Sequence, residues 1–450
     1  MKTAKTTRIW VTSALLAAMV VCYGVWVITE APSYWETFLF VTLLFLLFSI
    51  AIIRFVPYLL LYFETGKEPH LERIGERTYR RCGLRELAGV VLWILVLRLL
   101  QLLITYLIHF GLFGYTETFF RVQRIWLDFY HARTSFPAYP LLSNLFWFVS
   151  FNFNHARFIS SYLVTALAGA MFYYWVLMDF DRPVARHTVF FWLLLPAGCL
   201  LMGTLPDGLF ILFSLLCLMF AQKRKFVLAN VFAMLSVMTH LLGVLLFVPC
   251  IIEFSEMLVE DLRKHREEKS GYLLRRILPA ISFLLIPLGF AAVLLYSSVQ
   301  FGSPSELFRA AAETFGYVPS TPFASAAALS NRFLDAIRTT SGEELLFELG
   351  NTVPNLFYLV LGAALLILAP GRVRTSHIAY MIAAYLAIAC TGTLLEVPRL
   401  LSLCAPFILT ITLSVKPKWL RYVLYAVGFG LFLLYLTAVV GGYTVYGAAI

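Results

Sequence analysis

Long apolar runs alternate with short polar intervals along nearly the whole chain. Several runs reach about 20 residues, the length of an α-helix that crosses roughly 30 Å of hydrocarbon. The pattern predicts an all-α, polytopic membrane protein with about 11 to 13 transmembrane helices and amphipathic helices at its outer face. We expect the apolar helices at residues 9–29, 35–62, 88–112, 157–178, 188–203, 208–221, 226–252 (a hairpin of two short helices), 277–296, 355–369, 377–392, 400–414 and 419–442.

Composition supports the membrane class and limits the alternatives. The chain is 61% hydrophobic and 13% charged, whereas soluble proteins contain roughly 25% charged residues. The net charge of +10 is expected to come from basic loops on the cytoplasmic side, so nucleic acid is not a predicted partner. The seven cysteines lack metal-ligand spacing, and no metal or other cofactor is predicted. The first apolar run is too long for a signal-peptide core and is expected to remain as a helix.

One orientation of the helices places nearly every basic cluster on the cytoplasmic side. In the same orientation, polar residues from four separate parts of the sequence lie outside: Glu117, Asp128, Asp207, His240, Glu396 and Arg399. We therefore expect a polar pocket at the outer surface. The chain divides into an N-terminal pair of helices (1–66), a basic cytoplasmic linker (67–87) and a core (88–450) with outer loops at 113–157 and 297–353.

The outer segment 113–157 carries the densest group of charges. A helix over residues 117–131 would place five polar residues on one stripe: Glu117, Arg121, Arg124, Asp128 and His131. Aromatic residues stand between them, a pattern typical of a helix that lies flat on a membrane surface. The prolines of the following FPAYP sequence exclude regular helix there, and residues 141–153 are expected to form a surface or re-entrant segment.

Carboxylates beside arginines and a histidine suit group transfer on a lipid-bound substrate. A carboxylate can act as general base toward an attacking hydroxyl, arginine can bind a phosphate leaving group, and histidine can assist. No Gly-rich phosphate loop is evident, which argues against a cytosolic nucleotide-binding site. Several of these residues also have an ordinary structural interpretation: His240 as a hydrogen-bonding helix end, Asp207 as a first-turn acid, Glu396 and Arg399 as an ion pair, and Arg98 as a buried partner.

Short motifs from residue 88 onward resemble the PIG-V-like mannosyltransferases, a family of the GT-C class of polytopic glycosyltransferases. Their order and spacing carry the resemblance, more than any one motif. The motifs are FPAYPLL at 136–142 (family FFPLYPLL), LPDGLF at 205–210 (an acid where the family has glutamate), MTHLLGVLLFVP at 238–249 (LTRPxGLLLLLP), FGSP at 301–304 (FGDP) and VPRL at 397–400 (the (P)RYLLPxFP segment).

The chain departs from the family pattern at the expected catalytic position. The family carries a Trp-Asp motif at the start of the first outer loop, and its aspartate is the expected catalytic acid of the class. Here the matching place reads Tyr115-Thr116-Glu117, with Tyr115 at the aligned position. Glu117 takes the role of the aspartate only with a shift of two residues, and Asp128 is the other candidate. His240 stands where the family has arginine.

The resemblance implies a GT-C-type helical bundle that transfers a sugar, with inversion, at the outer face of a prokaryotic plasma membrane. The implied partners are a polyprenyl-phosphate-linked sugar donor, membrane lipid, and a glycan, glycolipid or protein acceptor. The family implies mannose, whereas the residues alone select no sugar. The expected catalytic bases are Glu117 and Asp128. The donor phosphate is expected at Arg399, His240 and Arg121, and the acceptor at Asp207, Tyr139, Glu396 and Phe301, with a loop at 301–317 closing over the site through Phe301 and Tyr317.

Two other functions remain open from the sequence. A transporter of lipid-linked glycans would need polar residues distributed through the middle of its membrane helices, and Arg98 is one such residue. A catalytically degenerate relative that acts as a scaffold in polysaccharide assembly would explain the missing Trp-Asp motif.

Overall fold

The computed structural model of the protein describes residues 2–29, 34–65, 79–113, 136–196, 198, 206–264, 277–315, 318–394 and 396–440. These ranges are almost entirely helical. The only extended pairing in the part described is one isolated β-bridge between Pro319 and Thr391.

The helices are numbered in chain order, and short 3₁₀ turns follow α8 (Leu241–Leu246) and α10 (Ser282–Leu284). They are α1 (Lys2–Thr29), α2 (Trp35–Thr65), α3 (Leu84–Phe113), α4 (Ala138–Ser150), α5 (Phe153–Leu177), α6 (Arg182–Leu194), α7 (Asp207–Gln222), α8 (Phe226–Val237), α9 (Phe247–Lys264), α10 (Ile277–Ile281), α11 (Leu285–Phe301), α12 (Glu306–Phe315), α13 (Ala324–Thr339), α14 (Glu343–Leu368), α15 (Thr375–Ala389), α16 (Val397–Leu403), α17 (Ala405–Ser414) and α18 (Lys418–Val440).

Many of these helices have the length and composition of membrane spans. Among the described residues, seven helices are long and apolar enough to cross a membrane, or eight if α16 and α17, which meet at 88°, form one broken span. The shorter helices α7, α8 and α15 are also apolar. The prediction of an all-α, multi-pass membrane protein is confirmed. The GT-C arrangement and the count of about 11 to 13 transmembrane helices stay predictions.

The segment predicted as a long outer loop, residues 297–353, is helical over most of its length, and its position outside the membrane stays a prediction. Helices α12 and α13 and the first turns of α14 lie within it. Their sequences are rich in Ala, Glu, Leu and Arg, which are strong helix formers. The segment is too polar to be a membrane span, so hydrophobicity alone does not distinguish its amphipathic helices from a loop.

Two further boundaries also differ from the prediction. Helix α6 begins at Arg182, because Asp181 accepts a hydrogen bond from the Val184 N–H and Pro183 follows in the first turn. Helix α4 begins at Ala138, inside the FPAYP sequence that was expected to exclude helix. Pro140 is tolerated there because the first N–H groups of a helix have no partner within the helix.

The helices form two compact units, each assembled from separate stretches of the chain. Unit 1 comprises Met1–Leu71, Val248–Arg276 and Ala312–Thr410, and unit 2 comprises Glu72–Phe247, Ile277–Ala311 and Ile411–Ile450. Helices α1 and α2 therefore belong to the same unit as α13 to α16. The predicted division into an N-terminal pair, a linker and a core stays a prediction.

In unit 2, several helix ends meet at one end of the bundle. Lys223, which follows α7, lies over the rings of Tyr79 and Tyr174, 5.6 and 5.1 Å from their centroids. Arg182 at the start of α6 donates two hydrogen bonds to Glu86 in the first turn of α3, each 2.8 Å long. The starts of α3 and α6 and the ends of α5 and α7 therefore share this end.

Helix α18 begins at the same end, because the Tyr425 hydroxyl and His187 Nδ1 lie 2.7 Å apart. We call it the basic end of unit 2. Basic residues found here are Arg80, Arg81, Arg85, Arg182, Arg186, Lys223, Arg224, Lys225, Lys418 and Arg421. The clustering is what the positive-inside rule requires of a cytoplasmic end.

Unit 1 has a basic end of its own. Arg263 of α9 donates hydrogen bonds to the backbone carbonyls of Phe63 and Glu64 at the end of α2. Gly371 lies close to Tyr58 of α2, because a Cβ atom added at residue 371 would lie 3.0 Å from the Tyr58 hydroxyl oxygen. The ends of α2, α9 and α14 and the start of α15 therefore lie together, along with Arg372 and Arg374.

Aromatic packing holds the middle of unit 1. The buried ring of Phe323 contacts Phe45, Phe48 and Tyr385, with centroids 4.9, 6.4 and 6.1 Å away. Beyond it, the Thr37 hydroxyl donates to Ser330 at 3.0 Å. These contacts attach α2 to α13 and α15, in addition to the apolar burial that the rings supply.

We expect Gly243→Ala to destabilise the protein. A Cβ atom at residue 243 would lie 2.5 Å from the backbone carbonyl carbon of Ser236, so the chain must shift. Overpacking of this kind costs about 1–3 kcal/mol, which thermal unfolding in detergent would measure. Gly430→Ala is the matched control, because nothing lies within 4 Å of its Cβ position on α18. The control should unfold at the same or a higher temperature, and an equal loss in both variants would contradict the packing argument.

We also expect the two ends of unit 2 to lie on opposite sides of the membrane. Lys225 is exposed at the basic end, and Asn152 is exposed between α4 and α5. In a variant that lacks all seven native cysteines, Asn152→Cys should react with an impermeant maleimide in intact cells. Lys225→Cys should react only after the membrane is opened. Reaction of both from the same side would overturn the orientation inferred from charge.

Candidate functional site

The end of unit 2 opposite the basic end gathers Phe136, Tyr139, Asp207 and His240, which we call the Asp207–His240 site. Asp207 is the first residue of α7, follows Pro206, and is only 1% exposed. A carboxylate at this position is stabilised by the N-terminal end of the helix dipole. Asp207 therefore occupies the first-turn position of its ordinary structural interpretation, and its side chain is buried.

His240 lies at a break in the helical backbone between α8 and the 3₁₀ turn that follows. Its Nδ1 accepts a hydrogen bond of 3.1 Å from the Leu242 N–H, so the neutral ring carries its hydrogen on Nε2. The imidazole is nearly parallel to the Phe136 ring, with centroids 6.3 Å apart, and it also contacts Phe210 at 5.4 Å. Because Phe210 is one turn after Asp207 on α7, these ring contacts bring the imidazole to the first turn of that helix.

Tyr139 connects the His240 break to α5 and α7. The Ala138 N–H next to it donates to the Met238 carbonyl at 3.0 Å. The buried Tyr139 ring packs with Val164 and Leu209 in one apolar cluster. The first turn of α4, the start of α7 and the His240 break thus converge on one place.

The backbones of α5 and α7 approach closely at the same depth. A Cβ atom on Gly208 would lie 2.6 Å from the hydroxyl oxygen of Thr165. That hydroxyl is buried and has no hydrogen-bond partner among the described residues. Only glycine permits this approach, and it places Asp207 directly beside α5.

Helix α4 runs back along the outer part of α5. Ser143 and Ser160 are 3.3 Å apart, and Tyr139 packs on Val164, so the two helices are antiparallel. Tyr139 therefore lies about three turns inside the start of α5. The prediction of a surface or re-entrant segment at residues 141–153 stays a prediction.

The outward face of α4 is apolar and exposed. Its exposed residues are Leu141, Leu145, Phe148 and Val149. Helical spacing places them on one stripe, which we call the α4 stripe. In a membrane protein a stripe of this kind faces lipid.

Phe301 lies at the same end of unit 2. It is the last residue of α11, which runs beside α8: Asn230 Nδ2 donates to the Ser282 hydroxyl at 2.7 Å, and Gly289 packs against Met234. The helix continues about 18 Å beyond Gly289, so Phe301 extends past the level of His240. Its ring contacts Tyr296.

Glu396 and Arg399 belong to unit 1. Arg399 Nη1 donates to both carboxylate oxygens of Glu396, at 2.9 and 3.0 Å, and the two side chains are 8% and 3% exposed. Asn355 of α14 accepts a hydrogen bond from the Val397 N–H beside them. The interpretation of these residues as an ion pair is therefore correct, and the pair is buried.

Several predicted site residues lie outside the described part of the chain. They are Glu117, Arg121, Asp128 and Tyr317. The candidate catalytic bases are thus predictions from sequence alone. Of the remaining candidates, Tyr139, Asp207 and His240 come together in unit 2, Phe301 lies at the same end, and Glu396 and Arg399 are joined in unit 1.

The structure also contains buried polar groups outside the set of predicted site residues. In unit 1, Glu253 accepts hydrogen bonds from Ser376 at 2.6 Å and from Tyr62 at 2.9 Å, which joins α9 to α15 and α2. In unit 2, Arg98 donates to Gln101 and to the Gly198 carbonyl, at 2.9 and 3.1 Å. Arg98 was expected to be a buried partner, and it is 1% exposed.

The chemistry available at the Asp207–His240 site is hydrogen bonding and proton transfer in an apolar setting. Asp207 can accept hydrogen bonds from substrate hydroxyls, and a histidine can exchange a proton near neutral pH. Within the described residues, no group of three or more His, Cys, Asp or Glu side chains could hold a metal ion. Comparison with protein-family models, with curated proteins and with solved structures finds no match to this chain.

We expect the Glu396–Arg399 pair to behave as one unit in stability measurements. Arg399→Met leaves a buried carboxylate without its partner and should lower the free energy of unfolding by about 3–5 kcal/mol. The double variant Glu396→Leu/Arg399→Met removes both charges and should recover much of that loss. A double-mutant cycle on thermal unfolding in detergent measures the coupling. Strictly additive losses would show that the two side chains are not coupled.

Proposed function

We propose that the protein is a membrane glycosyltransferase that moves a sugar from a polyprenyl-phosphate donor to an acceptor at the outer face of the membrane. The convergence of Tyr139, Asp207 and His240 at the end of unit 2 opposite its basic end is the observation that carries the proposal. That end is the outer one if the positive-inside rule holds.

The setting of the site supports a lipid-linked substrate. The α4 stripe begins two residues after Tyr139 and is exposed along the whole helix. A substrate with an apolar chain could approach the Asp207–His240 site from the membrane along this face. A soluble nucleotide sugar would gain nothing from such a face, and the chain carries no evident Gly-rich phosphate loop for one.

The proposed roles follow from the chemistry of each group. Glu117 or Asp128 takes the proton from the attacking hydroxyl, with inversion at the sugar carbon. Asp207, with Tyr139 beside it, positions the acceptor. His240 lies near the donor phosphate and supplies a hydrogen bond from Nε2. Mannose is the sugar implied by the PIG-V-like resemblance, and a prokaryotic plasma membrane is the proposed location.

The other predicted ligands have a more limited role in this proposal. Arg121 remains a candidate for the phosphate. Arg399 could bind an anion only by exchanging its contacts with Glu396, which lowers its value as a phosphate ligand. Phe301 is proposed as an apolar contact at the rim.

A transporter of lipid-linked glycans is the second candidate. Arg98 and Gln101 are both 1% exposed in the middle of α3, and Glu253 is 5% exposed within a candidate span. Ionisable residues inside membrane helices often mark a polar path. Their contacts here, to a helix-end carbonyl and to neighbouring hydroxyls, are also those of structural residues, so we rank the transferase first.

Transfer assays on the purified protein in lipid test the proposal. We expect wild-type protein to transfer mannose from polyprenyl-phosphate mannose to a membrane-extract acceptor. Asp207→Asn, and either Glu117→Gln or Asp128→Asn, should lose about 100-fold or more of the rate. Asp179→Asn, at the basic end of unit 2, is the control and should keep full activity. If all three site variants keep full transfer, the catalytic assignment is wrong.

The same purified protein in lipid distinguishes the transferase from the transporter and from the scaffold. A transporter would move the labelled lipid-linked sugar across a liposome membrane without forming a new glycosidic bond. A scaffold would do neither. Transport without transfer would overturn the proposed function and favour the second candidate.

A further inference from the structure

Arg157 is a cation at the Asp207–His240 site that the sequence patterns did not select. It lies in the second turn of α5 and is half-buried. Its backbone carbonyl accepts a hydrogen bond of 3.0 Å from the Tyr139 hydroxyl. Tyr139 therefore links Arg157 to the segment that packs on His240.

The depth of Arg157 distinguishes it from the rest of the site. Thr165, which contacts Gly208 beside Asp207, is eight residues farther along α5, or about 12 Å. The candidate membrane span on α5 begins at His155, only two residues before Arg157. Arg157 is thus near the end of a membrane span, where lipid phosphates lie, while Asp207 is about two turns deeper.

The other buried arginines are less suited to an incoming anion. Arg399 already donates to both carboxylate oxygens of Glu396 and is 6% exposed. Arg98 is 1% exposed and donates to Gln101 and a backbone carbonyl. Both of these side chains are almost completely buried, whereas Arg157 is only half-buried.

An apolar surface adjoins Arg157 on the neighbouring helix. Leu145 and Phe148 of the α4 stripe are 65% and 69% exposed. They lie on the part of α4 that packs beside the outer turns of α5, since Ser143 contacts Ser160. A ligand that combines a phosphate with a long apolar chain would match both features.

We propose that Arg157 binds the phosphate of a polyprenyl-phosphate lipid whose chain lies along the α4 stripe. This rests on the proposed function and deepens it, because it names the cation that holds the donor or the released lipid phosphate. The guanidinium offers a planar pair of donors to two phosphate oxygens. The phosphate bound at Arg157 would lie outward of Asp207 and His240, at the level of the first turns of α5, so Arg157 would hold the lipid before its phosphate reaches His240 or after its release.

Binding measurements without any sugar test this inference. The full-length protein in lipid nanodiscs would be titrated with a polyprenyl phosphate, with the matching polyprenol, with phosphatidylglycerol and with inorganic phosphate, and its thermal stabilisation recorded. We expect the polyprenyl phosphate to bind more tightly than the other three. Arg157→Gln should weaken its binding by about tenfold to a hundredfold.

Two further variants keep the test informative. Arg157→Lys keeps the charge but loses the paired donors, so its affinity should lie between those of wild type and Arg157→Gln. Arg186→Gln removes an exposed cation from the basic end of unit 2 and should leave the affinity unchanged. If Arg157→Gln does not fold, the affinity of Arg157→Lys for the polyprenyl phosphate decides whether Arg157 binds the phosphate.

Several results would overturn the inference. Unchanged affinity in Arg157→Gln and Arg157→Lys would show that Arg157 does not bind the lipid. Equal binding of polyprenol would show that the phosphate does not contribute to the affinity. If phosphatidylglycerol binds as tightly as the polyprenyl phosphate, the site is an ordinary contact with membrane lipid. If inorganic phosphate binds as tightly, the apolar chain does not contribute to binding. Normal sugar transfer with unaltered binding in Arg157→Gln would reject the inference and leave the proposed function intact. Loss of binding in Arg157→Gln, in a protein that transfers no sugar, would support the inference and reject the function.

Discussion

A polar side chain buried in hydrocarbon is costly unless another protein group hydrogen-bonds to it, and the arrangement of this protein depends on that constraint. Glu253 is held by two hydroxyls from different helices. Arg98 binds a backbone carbonyl beyond the end of α6, where the exposed carbonyls of a helix end favour a cation. Glu253 and Arg98 thereby join segments that are distant in sequence.

The same constraint accounts for the places where helices break. Backbone N–H and C=O groups that leave a helix inside a membrane need other partners. At the break after α8, the Thr239 hydroxyl donates to the Ser236 carbonyl and His240 Nδ1 accepts from the Leu242 N–H. At the sharp turn between α16 and α17, the Ser402 hydroxyl donates to the Arg399 carbonyl. Polar residues at the breaks therefore hydrogen-bond to the backbone, and only their remaining donors and acceptors could take part in a function.

Polar residues that only make structural contacts can thus be distinguished from those that are candidates for substrate binding or catalysis. Paired hydroxyls such as Ser214 and Ser236, 3.0 Å apart, are ordinary contacts between membrane helices. Asp207 and His240 differ because they lie together at one end of a unit, next to an exposed apolar helix. Arg157 adds a partly open cation at a shallower level. The combination of a buried carboxylate, an imidazole and a shallower cation is the basis on which we propose a lipid-linked, phosphate-bearing substrate.

The sequence by itself determined the class of fold and the approximate position of most helices, because the length and polarity of each run decide whether it can cross hydrocarbon. It also singled out Asp207 and His240, since charge asymmetry assigns both to the same end of the bundle. It could not find Arg157, which reads simply as the first residue of a helix, nor the helices in residues 297–353. Only the tertiary structure decided that α4 folds back beside α5, that glycine at 208 brings Asp207 against Thr165, and that Arg399 is bound by Glu396. These outcomes depend on close packing between segments far apart in the chain, which local hydrophobic periodicity does not encode.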